Sequence, residues 1–442
     1  MIKKVATIIF LFITTFSFAQ TNKEKIYSIT QKIITNLENH QYDSISQRFD
    51  TAMLRQISGT QLGEAWENLP NQFGDFDAFG KTIIDTMQGY YTSQSILQFK
   101  KTKLLMSISF NGNFGIAGFY FLPKYDYSPP EYVNTLLFVE YKVSFGNAPY
   151  IINGTLTVPS NIKNPPCAII VGGSGPIDRD GSVGENKTYK DLAWGIASKG
   201  IAVLRFDKRT FTYGPQLFAD KYAGKNFTIK EEYLDDVKAA IEYVSSNNKV
   251  DSKRIFIIGH SEGGMLAPLI CKQNKKVAGI ILMAGNARPM QDLLIEQLDF
   301  LYKEIAIPSG ERIKINRLKR NALNAKSPDL KLDYPEDSLP GASAAYWISI
   351  NKYNQVETAK KINKPLLFIQ GERDYQVTMT DYHIWKQHLS SKENCSFYSY
   401  PKLNHLFLEG EGKPNKEEYE KRGNVPEYVV KDLVNWISSK KN

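Results

Sequence analysis

Arg254-Ile255-Phe256-Ile257-Ile258-Gly259-His260-Ser261-Glu262-Gly263-Gly264-Met265-Leu266 is the stretch that decides the fold class. Ile255 to Ile258 is an unbroken apolar run of strand length, and Met265 to Lys272 carries a helical pattern. Between them Gly259-His260-Ser261-Glu262-Gly263 has the G-x-S-x-G spacing. A turn this sharp from strand to helix forces its serine into a strained backbone conformation and lifts the hydroxyl clear of the sheet, and the flanking glycines leave room for it. Ser261 is therefore the candidate nucleophile; the alternative is an ordinary glycine-rich turn.

Outward from this turn, strand and helix patterns alternate from about Tyr132 to the C-terminus, which predicts a mainly parallel sheet covered on both faces. Thr135 to Phe145 and Ile151 to Val158 form an opening antiparallel hairpin. Six further β-rich runs follow: Cys167 to Val171, Ile201 to Arg205, Ile255 to Ile258, Gly279 to Met283, Leu366 to Gln370 and Ser396 to Tyr400. The sheet thus has eight predicted strands. An insertion from about Ala287 to Lys361 interrupts the alternation with helix-like stretches, where a lid over the site would sit.

A serine hydroxyl needs a base within hydrogen-bond reach, and there are five histidines. His40 lies far upstream, His260 is pinned in the turn, and His383 and His388 fall on a predicted helix; His405 follows the last strand in Pro401-Lys402-Leu403-Asn404-His405 and is the expected base. The base must be oriented by a carboxylate, and Asp374 in Gly371-Glu372-Arg373-Asp374 sits at the carboxyl end of a strand, with Glu372 and Asp381 as fallback acids. Developing charge on the attacked carbonyl needs N–H donors. The backbone amide of Glu262 is one candidate and that of Ser174, in the loop Val171-Gly172-Gly173-Ser174-Gly175-Pro176, is the other, with Gly173 or Gly175 as alternatives. That loop lacks the lysine of a phosphate-binding loop. Tyr346 and Trp347 in the insertion are candidate pocket residues, with ordinary lid packing as the alternative.

Lys3 and Lys4 precede an apolar run from Val5 to Phe18 and a small-residue site ending at Ala19, the pattern of a cleaved export leader over residues 1–19 and hence of a secreted or periplasmic protein with no stable membrane span after cleavage. Residues 20–128 read as a small α+β domain: apolar positions from Ile26 to Leu37 recur at helical spacing, and Ser95–Phe99, Lys103–Phe110 and Gly115–Phe121 are β-rich. Residues 132–442 form the larger domain. The three cysteines, Cys167, Cys271 and Cys395, are odd in number and read as buried thiols. The formal charge of +9 is mostly scattered. Only Arg312, Lys314, Arg317, Lys319 and Arg320 cluster; with Ile313, Ile315 and Leu318 interleaved they read as the solvated face of an amphipathic helix, with an anion-attracting rim on a lid as the alternative, and no nucleic-acid partner is expected. No paired His or Cys spacing of a zinc site occurs, so no metal is expected.

On these residues the chain resembles the α/β-hydrolase superfamily, and within it the bacterial secreted serine esterases with a small N-terminal domain. The most specific marks are Gly172-Gly173-Ser174-Gly175-Pro176-Ile177-Asp178-Arg179-Asp180, Leu204-Arg205-Phe206-Asp207-Lys208-Arg209, the serine turn, and Gly371-Glu372-Arg373-Asp374. Such relatives continue the Asp-Lys-Arg turn with a glycine, whereas here Thr210-Phe211-Thr212-Tyr213 intervene, so the nearby pocket wall departs from the pattern. The resemblance implies carboxylester hydrolysis by Ser261, Asp374 and His405 through an acyl-enzyme, on small-molecule or glycan-linked esters, with no cofactor. A peptidase of the prolyl-oligopeptidase type, a thioesterase or acyltransferase, and a non-enzymatic ligand-binding scaffold are the alternatives. The N-terminal domain has homodimer formation, shielding of the cleft or glycan binding as open roles.

Overall fold

In a computed structural model the chain is described over residues 22–440, apart from 88–89, 220 and 304–307. The leader expected over residues 1–19 lies outside the described residues. The chain divides into two compact units, Met1–Asp126 and Tyr127–Asn442.

In the first unit a helix over residues 22–38 turns Ile26, Ile29, Ile33, Ile34 and Leu37 to one buried face. That face packs against a four-stranded antiparallel sheet, β1 (Phe76–Met87), β2 (Tyr90–Phe99), β3 (Lys103–Phe110) and β4 (Ile116–Pro123), in sequence order. The sequence reading has no counterpart of β1 and starts β2 only at Ser95. The reason is compositional: Gly80 interrupts β1, and the core-facing positions of early β2 include Ser93 and Ser95, both fully buried, so the apolar alternation that signals a strand is missing.

The second unit is built on an eight-stranded sheet of order β14-β13-β12-β11-β7-β10-β6-β5. Its strands are β5 (Phe138–Phe145), β6 (Ile152–Pro159), β7 (Cys167–Val171), β10 (Ala202–Phe206), β11 (Ile255–His260), β12 (Val277–Met283), β13 (Leu366–Gly371) and β14 (Cys395–Tyr400), with a two-strand ribbon β8 (Ser182–Val183) and β9 (Asn186–Lys187) beside it. Only β6 runs against its neighbours β5 and β10; from β10 to β14 every pairing is parallel. Strand alternation divides the core: Ile255 and Ile257 join one apolar cluster, Phe256 and Ile258 the cluster on the opposite face. Helices Thr188–Ala197 and Glu427–Ser439 cover the second face, and Asp235–Ser246 and Glu262–Gln273 the first.

Two of the boundaries that differ from the sequence reading have a local cause. Thr135–Leu137 is a 3-10 turn in which the Asn134 side chain accepts from the Leu136 amide, so β5 begins at Phe138. The helix after the serine turn begins at Glu262 rather than Met265, because the glycines there are part of its first turn. The insertion between β12 and β13 carries helices Met290–Tyr302, Ser309–Lys326, Ala344–Asn351 and Gln355–Lys360. Its last part is anchored: Ala344, Trp347, Ile350, Val356 and Ala359 belong to the main apolar core. All three cysteines are free thiols, Cys167 and Cys271 buried and Cys395 half-buried. Among the described residues no helix is long and apolar enough to cross a membrane.

The serine turn is set by close backbone packing. Ser261 has φ +55°, and its amide donates to the Met283 carbonyl at 2.9 Å, pinning the turn to the end of β12. A Cβ on Gly259 would lie 2.2 Å from the Gly263 carbonyl oxygen, and one on Gly263 would lie 2.4 Å from that of Val171. Backbone cannot yield there as a side chain would. Gly263→Ala should therefore cost about 2 kcal/mol or more of folding stability, read from the urea midpoint; an unchanged midpoint would show that the turn is not packed against β7 in this way.

Candidate active site

Four loops at the carboxyl ends of parallel strands carry the candidate residues: Ser174 after β7, Ser261 after β11, Asp374 after β13 and His405 after β14. Asp374 is buried and fully committed. Its Oδ1 accepts from the amides of Gln376 (2.7 Å) and Val377 (2.9 Å), and its Oδ2 from Gln370 Nε2 (3.1 Å) and His405 Nδ1 (2.7 Å). With Nδ1 carrying the proton toward a carboxylate, Nε2 of His405 is left as the proton acceptor. Asn404 shapes this loop, its Oδ1 accepting from the amides of Leu406 and Leu408. Ser261 and His405 face one cleft of about 200 Å³, together with Ser174, Gln376 and Tyr419. Ser261 Oγ is not hydrogen-bonded to His405 in this arrangement. Such bonds are commonly long before substrate binds.

The fallback acids are spent elsewhere. Asp381 is buried and accepts from the Ala287 and Arg288 amides and the Arg288 guanidinium, so it ties the start of the insertion to the sheet. Glu372 accepts from the Ser399 hydroxyl at 2.8 Å.

The donor loop after β7 is oriented from below by residues that sequence reasoning missed. Lys208 Nζ and the Tyr233 hydroxyl both reach the Gly173 carbonyl, at 2.8 and 2.7 Å. In a planar trans peptide the N–H points opposite the C=O, so holding that carbonyl turns the Ser174 amide the other way. Among the described residues neither the Ser174 nor the Glu262 amide has a protein acceptor. The Gly173 amide, by contrast, donates to the Tyr189 hydroxyl at 3.2 Å. Gly173 is therefore not a free donor. A Cβ on it would come within 3.0 Å of Ser261 Cβ, which is why the loop can lie against the serine.

Lys208 belongs to the Asp-Lys-Arg turn, and that motif was its only sequence signal. Its neighbour Asp207 holds Arg179 through that residue's amide and guanidinium, binding the donor loop to the end of β10. Tyr233 had no signal at all. It lies in a wide π-turn at Lys230–Leu234, which lets two successive residues, Glu232 and Tyr233, both point inward. Glu232 Oε1 accepts from Lys208 at 2.8 Å and from Thr210 at 2.6 Å.

His260 is locked rather than free to titrate. Its Nε2 donates to the His405 carbonyl at 2.9 Å, so its Nδ1 must accept from the Tyr189 hydroxyl, also at 2.9 Å. Burial, with the His405 ring nearby, pushes it down to about 3, and it stays neutral. One chain of hydrogen bonds thus runs from the Gly173 amide through Tyr189 and His260 to the backbone of His405.

A second, larger cavity of about 430 Å³ opens on Ser174 and Glu262 beneath the insertion. Tyr346 and Trp347 both line it, with Met290, Leu294 and Phe227 as apolar walls. Tyr346 is also bonded to the site, its hydroxyl donating to Glu262 Oε1 at 2.7 Å. Thr210 and Gly224 line the same cavity, so the segment that departs from the family pattern after Arg209 does form pocket wall. Among the described residues no group of three or more His, Cys, Asp or Glu is placed to hold a metal ion.

Residues 180–412 match the Hydrolase_4 family, described as serine aminopeptidase, S33, and residues 30–119 match a family of unknown function, DUF3887. The chain is 30% identical over 406 residues to esterase EstD of Thermotoga maritima, across 91% of this chain and 93% of that relative. Among solved structures, Est1E from Butyrivibrio proteoclasticus aligns with 68% of this chain and 98% of its own at 15% identity and a TM-score of 0.43. An esterase domain from Rhodothermus marinus aligns with 67% of this chain and 97% of its own at 16% identity and a TM-score of 0.40.

Among the described residues the Tyr189 hydroxyl is the one protein partner of two buried groups, the Gly173 amide and His260 Nδ1. Tyr189→Phe should leave both unpaired and lower stability by about 1–3 kcal/mol in denaturant unfolding. A variant as stable as the parent would break the proposed chain at its middle link.

Proposed function

As a member of the serine aminopeptidase S33 family within the α/β-hydrolase superfamily, this chain is an esterase-type hydrolase, and we propose that it cleaves carboxylic esters through Ser261, His405 and Asp374. The observation that carries this reading is the Asp374–His405 contact at 2.7 Å, buried beside Ser261 and the two unpartnered amides.

The chemistry follows from the placement. Ser261 Oγ attacks the ester carbonyl carbon while His405 Nε2 takes the hydroxyl proton, and Asp374 stabilises the imidazolium through the Nδ1–H it already holds. The carbonyl oxygen gains the charge of the broken π bond and is met by the Ser174 and Glu262 amides. His405 then gives its proton to the leaving alcohol as the C–O bond breaks, which leaves an acyl-Ser261. Water repeats the sequence and releases the acid. Because His405 and Ser261 line the smaller cleft, the alcohol leaves on that side; the cavity lined by Ser174, Glu262, Tyr346 and Trp347 takes the acyl group. Its apolar walls favour an acyl chain over a charged one.

An amide-cleaving reading is kept in view by the family's description as a serine aminopeptidase. Esters and aminoacyl anilides of matched size, assayed side by side, separate the two.

Ser261→Ala should abolish both turnover and labelling by a fluorophosphonate probe, and Asp374→Asn should cost about four orders of magnitude in kcat because the amide favours the wrong histidine tautomer. Labelling that survives in folded Ser261→Ala protein would reassign the nucleophile. Turnover should be indifferent to chelators, and a loss of activity that added zinc or calcium restores would contradict the mechanism.

Leu294→Trp, which fills the larger cavity, should lower kcat/KM for a long-chain acyl ester by about tenfold or more relative to acetate esters of the same alcohol. Equal effects on short and long acyl groups would move the acyl site elsewhere.

A further inference from the structure

Beneath the donor loop, one phenol oxygen has more neighbours than its single proton can serve. The Tyr233 oxygen lies 2.7 Å from the Gly173 carbonyl oxygen, 2.8 Å from Lys208 Nζ and 3.0 Å from Glu262 Oε2. A carbonyl brings no proton, so the one between Tyr233 and Gly173 is the phenol's own. Lys208 donates. Nothing is then left on Tyr233 for Glu262 Oε2, and two bare oxygens at that distance repel one another between side chains as buried as these. The contact is attractive only when Glu262 supplies the proton. Its other oxygen, Oε1, already accepts from Tyr346 at 2.7 Å, which leaves Oε2 as the protonated one.

The charge balance agrees. The groups facing Glu262 are Lys208, Glu232, Tyr233 and Tyr346. Lys208 has three N–H bonds and spends them on Gly173, Tyr233 and the carboxylate of Glu232, so its charge is already answered. An ionised Glu262 would leave one uncompensated negative charge in the core, on the residue whose own amide faces a developing oxyanion. Burial of Glu262 raises its carboxyl above the usual carboxylate range, against the opposing pull of Lys208 and the two tyrosines.

We propose that Glu262 works as a neutral carboxylic acid that donates from Oε2 to Tyr233, and that it is a positioning residue for the reaction. It completes the hydrogen bonds that hold the Gly173 carbonyl, and through it the Ser174 amide, and it keeps negative charge away from the oxyanion. The role rests on the ester-hydrolysis reading above; the protonation state does not.

Infrared difference spectra of the full-length wild type and Glu262→Gln, taken at about pH 8 in H2O and D2O, test the protonation state. Asp191 and Asp236, which burial pushes up to about 6, are ionised there and drop out. The expected result is a carboxylic-acid C=O band in the wild type that shifts in D2O and is missing from the variant. Superimposable spectra overturn the proposal. The positioning role is read from a pair of substitutions: Glu262→Gln can still donate to Tyr233 and Glu262→Leu cannot, so kcat should be at least about tenfold higher in the first, with similar KM. Equal kcat in the two overturns that role. A wild type without any esterase activity would instead sink the functional reading, while the infrared band still reports on Glu262.

Discussion

The contact between two pieces of bare backbone, Gly263 against the Val171 and Gly172 carbonyls, is the constraint on which the site depends. It lets the helix after Ser261 start directly over the end of β7, and it brings the serine turn and the donor loop to one place. Neither could move without losing the other. The positive φ of Ser261 is the strain cost of that crossing, and the bond from its amide to Met283 together with the buried helix behind it holds the strain in place.

Around this crossing the protein has spent buried polar groups on orientation rather than on direct chemistry. Two sets of hydrogen bonds grip Gly173: Lys208 and Tyr233 hold its carbonyl, and Tyr189 takes its amide. The first set fixes the direction of the Ser174 amide; the second ties the same loop through His260 to the backbone of His405. Each such group would be a liability if left unpaired in the interior, so the network is rigid because breaking any one bond strands a buried partner. That is the property an oxyanion site needs, since donors that must reorient during the reaction contribute less.

The two cavities share Ser174 in their linings, and they are built differently. The smaller is made largely by loops at the sheet ends, the larger by the insertion between β12 and β13 together with the loop after β7 and the segment after β10. The candidate catalytic residues therefore sit on loops of the sheet, while much of the larger cavity's wall comes from the insertion. Asp381, which resembles a catalytic acid in sequence position, instead secures the base of that insertion through Arg288.

What the sequence by itself determined is what short-range rules express. The apolar run before Ser261, the glycines beside it, the alternation of strand and helix, and the acids and histidines that close each strand are all local patterns, and together they specify the sheet, the serine turn and the order serine, acid, histidine. The strand Phe76–Met87 escaped because Gly80 interrupts it and its Thr82 and Ile84 pair with Ser95 and Ser93 rather than with apolar residues. Only the tertiary structure shows that Asp374, rather than Asp381 or Glu372, meets His405, and that the Gly173 amide, unlike that of Ser174, is taken by Tyr189. It alone also brought in Lys208, Tyr233 and the side chain of Glu262. These residues come from separate turns and helices, and they meet only where packing places them in one buried cluster, where a single proton more or less changes which contacts attract.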